Sequence, residues 1–409
     1  MPGEYTVRVA VPGSEPQSRP VSLQPGLDSG PALPRTQEAS LRRRARDLGI
    51  EVGFLKTGAL NAITDVPGVL VGHKTRIEGD PIRTGVTAIL PHAGNLYQEK
   101  VPAAICVFNG YGKLAGLSQV DELGTIETPI ILTNTLSVGT AMTAVVRYTL
   151  RQKGNESVRS VNAVVGETND GFLNDIRGLH VTEEDVIAAI ESATSGEVAE
   201  GSLGAGTGTV AFGWKGGIGT SSRVTPAIDG VHYTAGVLVQ SNFGRELVIS
   251  GIPFSREMEQ ARRAKQKESG GGSCMIVIAT DAPLSDRNLQ RLALRAFIGM
   301  GRTSMATSNG SGDYAIAFST AYRIPERSKS PMVTIPPLVD NATMSLLFRA
   351  VEEAVEEAIL NSLFMATTVH GYQGHTAEAI PLDDVLRLAQ EYKMHRIGAR
   401  LDWSPYAEN

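Results

Sequence analysis

Cysteine is nearly absent from this chain: Cys106 and Cys274 are the only two in 409 residues, and neither belongs to a C-x-x-C pair. That argues against a disulfide scaffold and against a structural zinc site. Aromatic residues are also scarce, 5% against 42% hydrophobic residues overall, so the core has to be built from Val, Ile, Leu and Ala, as in strands buried between helices. A strong charge of one sign is missing too. The formal net charge of -5 offers no electrostatic ground for nucleic acid or an anionic membrane as a partner, and a small-molecule or peptide substrate fits better. No apolar run approaches the ~18 residues of a membrane span, and no apolar stretch follows the first residues as in a secretory leader. The expected compartment is the cytoplasm.

What the chain does have is unevenly distributed. Residues 1–40 are rich in Pro, Gly, Ser and Gln, with prolines at Pro2, Pro12, Pro16, Pro20, Pro25, Pro31 and Pro34. Such a segment buries too little apolar surface to offset its ordering entropy and reads as a disordered or loosely draped arm. The basic cluster Arg42-Arg43-Arg44-Ala45-Arg46 follows without an apolar stretch behind it and reads as a solvated helix start. Beyond it, apolar runs predict strands over 69–72, 86–90, 103–108, 161–166, 209–212, 233–240, 274–279 and 314–319. Helical periodicity and caps predict helices over 140–152, 182–193, 285–301, 342–365 and 381–392. No internal repeat is present. The mixture implies an α/β layered sandwich, apolar sheets covered by helices.

The most informative feature is Ser269-Gly270-Gly271-Gly272-Ser273-Cys274, followed at once by the apolar run Met275-Ile276-Val277-Ile278-Ala279. Upstream, Arg256, Glu257, Glu259, Arg262, Arg263, Lys265, Lys267 and Glu268 form a charged segment of the kind that tolerates a chain break. A glycine hinge thus delivers a hydroxyl residue to the first position of a buried strand. Glycine can take conformations closed to other residues, which lets the Ser273 hydroxyl approach the Gly272 carbonyl carbon. An N-to-O acyl shift and hydrolysis there would free the Ser273 α-amine, whose pKa of about 7.7–8.0 suits it to serve as base for its own hydroxyl. Taken alone, the same residues are also an ordinary flexible loop.

Other segments supply the remaining parts of such a site. Ser311 and Asp313 stand two apart before the strand at 314–319 and share a side of an extended chain, where they can position the Ser273 amine and hydroxyl; an ordinary turn is the alternative. Asn242 ends the strand before Phe243-Gly244 and can donate to an oxyanion or simply cap the strand end. Glu167 lies just past a buried strand, where a carboxylate can bind a substrate ammonium or make a surface salt bridge. Gly204-Ala205-Gly206-Thr207-Gly208 runs into a strand rather than a helix and so lacks a dinucleotide-binding context. His370 and His375 are separated by Gly371 and Gly374, which break the helix that an H-x-x-x-H metal site needs. No cofactor is expected.

Several longer motifs occur in order: segments 61–69 and 83–91, Asn109-Gly110-Tyr111-Gly112-Lys113, Thr133-Asn134-Thr135-Leu136-Ser137-Val138-Gly139, and segments 204–209 and 308–313. Together they resemble the L-aminopeptidase/D-amino-acid esterase-amidase family, which includes the β-peptidyl aminopeptidases, over about residues 55–390. The resemblance implies a single four-layer αββα sandwich over 41–409, laid out like the N-terminal-nucleophile hydrolases with a different strand connectivity. It also implies self-cleavage between Gly272 and Ser273 into chains 1–272 and 273–409. The nucleophile then falls on Ser273, its orienting partners on Ser311 and Asp313, the oxyanion amide on Asn242 and the ammonium-binding carboxylate on Glu167, with Asn169 a further substrate-binding candidate close by in sequence. Some β-peptidases of the family carry Glu where Asp313 stands, which keeps the carboxylate and shortens its reach by one methylene. The implied substrates are small peptides, amides or esters, with D- and β-amino acids among them, and the implied assembly is a tetramer of processed pairs. Acyl transfer of the ornithine acetyltransferase type is the alternative chemistry, though its nucleophile is typically Thr. A binding protein with a plain glycine linker is the non-catalytic alternative.

Overall fold

A computed structural model describes residues 35–227, 230–244, 246–258, 272–303, 308–327 and 332–396. Most of the charged segment ahead of the glycine hinge, and Ser269, Gly270 and Gly271 themselves, lie outside these ranges. Two sheets organise the rest. One has five strands in the order Leu70–Glu78, Ile82–Leu90, Ile130–Asn134, Val164–Thr168 and Leu114–Ala115. The other has seven: Gly217–Val224, Thr234–Asn242, Ser273–Thr280, Gly312–Ser319, Glu99–Gly110 and Ile324–Pro325 in that order, with Thr125–Ile126 also paired to Glu99–Gly110.

Two-residue alternation sorts the side chains of these strands into three apolar layers. Cys274, Ile276 and Ile278 point to helices Asp286–Arg302 and Met344–Phe364, where they join Leu292, Ala296, Val355 and Ile359. Met275, Val277 and Ala279 point the other way and meet Ile130, Leu132 and Val164 of the facing sheet. Beyond that sheet, Ile131, Val165, Val86 and Ala88 pack on Ala141 and Val145 of helix Val138–Arg151 and on Val186 and Ile190 of helix Glu183–Glu191. Helix, sheet, sheet and helix therefore stack in that order, the αββα sandwich. A strand covered on both faces has no polar side, which is why 274–279 reads as an unbroken apolar run.

Helix starts follow local chemistry. Ser285 accepts the Asn288 N–H at 3.3 Å, and Thr182 and Asp185 form a reciprocal capping box.

Four sequence expectations need correction. Strand Gly217–Val224 was not anticipated, because Thr220, Ser221, Ser222 and Arg223 make it polar, yet it is buried throughout except at its last residue. Most of its polar groups are answered: the Thr220 hydroxyl donates to the Val237 carbonyl at 2.6 Å, the Ser221 hydroxyl to Ala354 at 3.0 Å, and the Arg223 guanidinium meets Glu357 at 2.6 Å. The basic cluster is not a solvated helix start. Arg42 donates to the carbonyls of Leu363, Phe364 and Ile380 at 2.6–3.2 Å, Arg44 to those of Leu60, Asn61 and Thr220, and Arg46 pairs with Glu357 at 3.0 Å. Arg42 thereby closes the C-terminal end of the longest helix, where free carbonyls and the helix dipole favour a cation. The proline-rich arm is shorter than 1–40: residues 1–34 are outside the described ranges, but Arg35–Leu41 is helical, and Glu38 accepts from the Thr368 N–H and hydroxyl at 2.9–3.1 Å. The strand anticipated at 209–212 shrinks to Val210–Ala211.

Candidate active site

Ser273 opens an interior strand, Ser273–Thr280, of the seven-stranded sheet. Asn242 is its antiparallel neighbour and Gly312 its parallel one. Its alternation with Met275 and Val277 sends the hydroxyl into the space between the sheets, while the residue stays buried. The Gly312 N–H is shared: it donates to the Gly272 carbonyl oxygen at 3.2 Å and lies 3.2 Å from Ser273 Oγ. One main-chain donor therefore touches both the hydroxyl and the carbonyl that this hydroxyl would attack. Gly272 has no room for a side chain, since a Cβ there would sit 2.7 Å from Phe243 Cα.

Ser311 and Asp313 do share a side, as the spacing predicts, and the Ser311 hydroxyl donates to Asp313 Oδ2 at 2.5 Å. That side is the helix-facing one, with Ala315, Ala317 and Cys274, and not the inter-sheet side that holds the Ser273 hydroxyl. The pair is thus placed against the main chain at the start of the Ser273 strand. Burial pushes the Asp313 carboxyl up to about 6, opposed by its hydrogen bonds to Ser311 and the Cys274 N–H. Burial, with the Asp313 charge beside it, lifts the Cys274 thiol well above its ordinary range, so Cys274 is an inert core residue.

Glu167 comes from the other sheet, near the end of Val164–Thr168, and is only 2% exposed. The Lys113 N–H donates to Oε1 at 2.9 Å and the Thr135 hydroxyl to Oε2. Gly112 links this carboxylate to the serine. A Cβ on Gly112 would lie 3.1 Å from Glu167 Oε1 and 3.1 Å from Gly312 Cα, and one on Gly312 would lie 3.3 Å from Ser273 Oγ. The buried Tyr314 ring closes the same space, and burial together with the charges of Glu167 and Asp313 raises its phenol.

The Asn242 side chain is held at both ends: Oδ1 accepts the Val210 N–H at 2.9 Å and Nδ2 donates to the Asn169 carbonyl at 3.0 Å. Each Asn amide nitrogen carries two hydrogens, so one remains to be used. Asn169 contributes its main chain; its side chain is exposed and its Oδ1 accepts the Gly171 N–H at 2.9 Å. His370 and His375 are occupied by Thr376 and by the Phe172 carbonyl, both at 2.8 Å. Among the described residues no group of three His, Cys, Asp or Glu side chains is placed to hold a metal, and no helix is long and apolar enough to cross a membrane.

Sequence reasoning missed Gly312, Gly112, Thr135 and the Lys113 main chain as parts of the site. Their motifs were visible, but the N–H groups of Gly312 and Lys113 leave no residue-type signature, and the close approach at Gly112 and the Thr135 hydroxyl bond to Glu167 arise only when segments remote in sequence pack together.

The protein-family model described as Peptidase family S58 matches residues 61–377. This chain belongs to peptidase family S58. Membership makes it a serine-type hydrolase of the aminopeptidase and amidase kind. It is 41% identical over 372 residues to the β-peptidyl aminopeptidase BapA of Sphingosinicella microcystinivorans, covering 86% of this chain and 92% of that one. Among solved structures, the PH0078 protein from Pyrococcus horikoshii OT3 superposes with a TM-score of 0.80 at 49% identity, over 86% of this chain and 99% of that one. The L-aminopeptidase D-Ala-esterase/amidase from Ochrobactrum anthropi, described as a new variant among the Ntn hydrolase fold, gives 0.78 at 37% identity over 86% and 99%.

Proposed function

We propose that this S58 member cuts itself between Gly272 and Ser273 and then uses Ser273 to remove amino-terminal residues from small peptides, amides or esters. The observation that carries the reading is the Gly312 N–H shared between the Gly272 carbonyl oxygen and the Ser273 hydroxyl. In self-cleavage, Ser273 Oγ bonds to the Gly272 carbonyl carbon while the Gly312 N–H stabilises the oxygen as it gains charge. As the C–N bond breaks, the Ser273 nitrogen takes up the proton lost by its hydroxyl and leaves as the free amine, and water hydrolyses the resulting ester. The released amine then accepts the proton of its own hydroxyl during attack on a substrate. Ser311 and Asp313, on the main-chain side, orient that amine. Glu167 binds the substrate ammonium, which brings the scissile carbonyl to Ser273, and the free hydrogen of Asn242 Nδ2 meets its oxyanion. The leaving amine takes the proton, and water releases the acyl group.

The absence of side chains larger than glycine at 112 and 312 keeps the path between Glu167 and Ser273 short, which supports a small acyl part bearing its own amine. Two unpaired cysteines support a reducing, cytoplasmic setting. The test is intact mass and end-group sequencing of purified protein beside Ser273→Ala. The reading expects two chains, the smaller starting at Ser273, and activity on aminoacyl p-nitroanilides that Ser273→Ala lacks along with the cut. Full activity in a single uncut chain overturns it.

A further inference from the structure

Glu167 and Asn242 belong to different sheets, yet one buried side chain lies behind both. Asp170 is 2% exposed, and its Oδ1 accepts from Asn174 Nδ2 at 3.0 Å. Its carboxyl is also hydrogen-bonded by the Thr84 and Asn134 side chains, and Asn134 Nδ2 donates to the Thr84 hydroxyl at 2.9 Å. From this ring two short routes lead to the site. Asn134 Oδ1 accepts the Ser137 N–H at 3.0 Å and so caps the turn Thr135–Ser137, whose first residue donates its hydroxyl to Glu167. The Asp170 carbonyl accepts the N–H groups of Leu173 and Asn174 at 3.1 and 3.0 Å, closing the turn that begins at Asn169, whose own carbonyl holds Asn242 Nδ2. Asn174 Oδ1 in turn accepts the Arg83 N–H at 3.1 Å, so the turn is tied to strand Ile82–Leu90 of the same sheet. There is no slack in this corner: a Cβ on Gly208 would lie 2.8 Å from Asp170 Cβ.

We propose that Asp170 is a positioning residue that sets the ammonium-binding carboxylate and the oxyanion amide relative to each other. The inference rests on the roles given above to Glu167 and Asn242. It does not touch substrate; it acts by holding Asn134 and the 169–174 turn. Displacement of a reacting group by about 1 Å is enough to lower turnover by about 10²-fold, and Asp170 governs two such groups.

The experiment measures kcat and KM on alanine and β-alanine p-nitroanilides for Asp170→Asn and for Thr84→Val, a change of nearly equal shape that removes only the bridging hydroxyl. Rates are divided by the amount of free Ser273 amino terminus, and thermal midpoints are recorded alongside. The expected result is kcat/KM per processed site lower by about 10–100-fold for Asp170→Asn and about 3–10-fold for Thr84→Val, with kcat down and KM up together and the thermal midpoint of Thr84→Val close to the parent. A purely structural role would reduce the processed fraction or the midpoint and leave both kinetic constants of processed enzyme unchanged; that result overturns the proposal. If Asp170→Asn does not fold, Thr84→Val decides. Glu167→Gln and Asn242→Ala run in parallel: if these two keep parental constants, the reading of the site has failed, whereas if they are impaired and Asp170→Asn and Thr84→Val are not, only this inference has.

Discussion

Gly112 and Gly312 meet backbone to backbone beside the Ser273 hydroxyl, so closely that a Cβ on Gly312 would stand 2.7 Å from Gly112 Cα and 2.8 Å from its nitrogen. Gly312 opens strand Gly312–Ser319 and Gly112 follows the end of strand Glu99–Gly110, so neither can retreat without moving main chain. Gly312→Ala therefore displaces the N–H that the Gly272 carbonyl uses. The expected outcome is slowing of self-cleavage by about 10²-fold or more, followed by intact mass against time after expression. Cutting at the parental rate would show that this donor is not needed.

Glu167 tests the ammonium site separately from the chemistry. A hydrogen bond to a charged group is worth about 1.5–3 kcal/mol, so Glu167→Gln should lower kcat/KM for substrates with a free amine by about 10–150-fold. The matched ester lacking the amine should lose little. Equal loss on both substrates would move Glu167 from binding into catalysis.

Asp313 links activity to stability through its proton. Its folded value of about 6 lies above the ordinary 3.8, so the folded chain binds this proton more tightly than the unfolded one. Its stabilising contribution is complete below pH ~3.8 and is lost as pH rises through about 6, a difference of about 3 kcal/mol. In an uncut Ser273→Ala background, Asp313→Asn should flatten the fall in urea midpoint between pH 4 and 6.5. In the active enzyme the same substitution should abolish most turnover. A midpoint that keeps its parental pH dependence in Asp313→Asn would refute the assignment.

Arg42 is a stability prediction away from the site. Arg42→Ala leaves the carbonyls of Leu363, Phe364 and Ile380 without their guanidinium at the end of the longest helix. The expected loss is about 3 kcal/mol by denaturant titration. Arg42→Lys should recover only part, because an ammonium cannot reach three carbonyls with a fixed fork. No change in either variant would mean that solvent replaces the cap.

Much of this molecule was legible before any coordinates. Strands covered on both faces announce themselves as apolar runs, and Met275-Ile276-Val277-Ile278-Ala279 is the plainest of them. Helices with a Ser or Thr cap, at Ser285 and Thr182, were placed within a residue or two. What stayed hidden depends on partners remote in sequence. Strand Gly217–Val224 went unread because Arg223 is buried only once Glu357, 134 positions later, is packed beside it. Arg42 looks solvated until the end of a helix arrives to receive it. In the site, the side chains of Ser273, Ser311, Asp313, Asn242 and Glu167 were legible by type and motif. That Ser311 and Asp313 face away from the hydroxyl, and that a glycine N–H faces toward it, follows from strand parity and register, which no single segment contains.

The place of Ser273 at the head of an interior strand has one more consequence. A break before it leaves that strand hydrogen-bonded on one flank to Thr234–Asn242 of the longer product and on the other to Gly312–Ser319 of the shorter. The fragments are thus woven through a common ladder and do not drift apart when the peptide is severed. Melting then changes molecularity: the precursor unfolds as one body, but the severed form unfolds into two, so its midpoint should climb with protein concentration while that of the uncut form stays put.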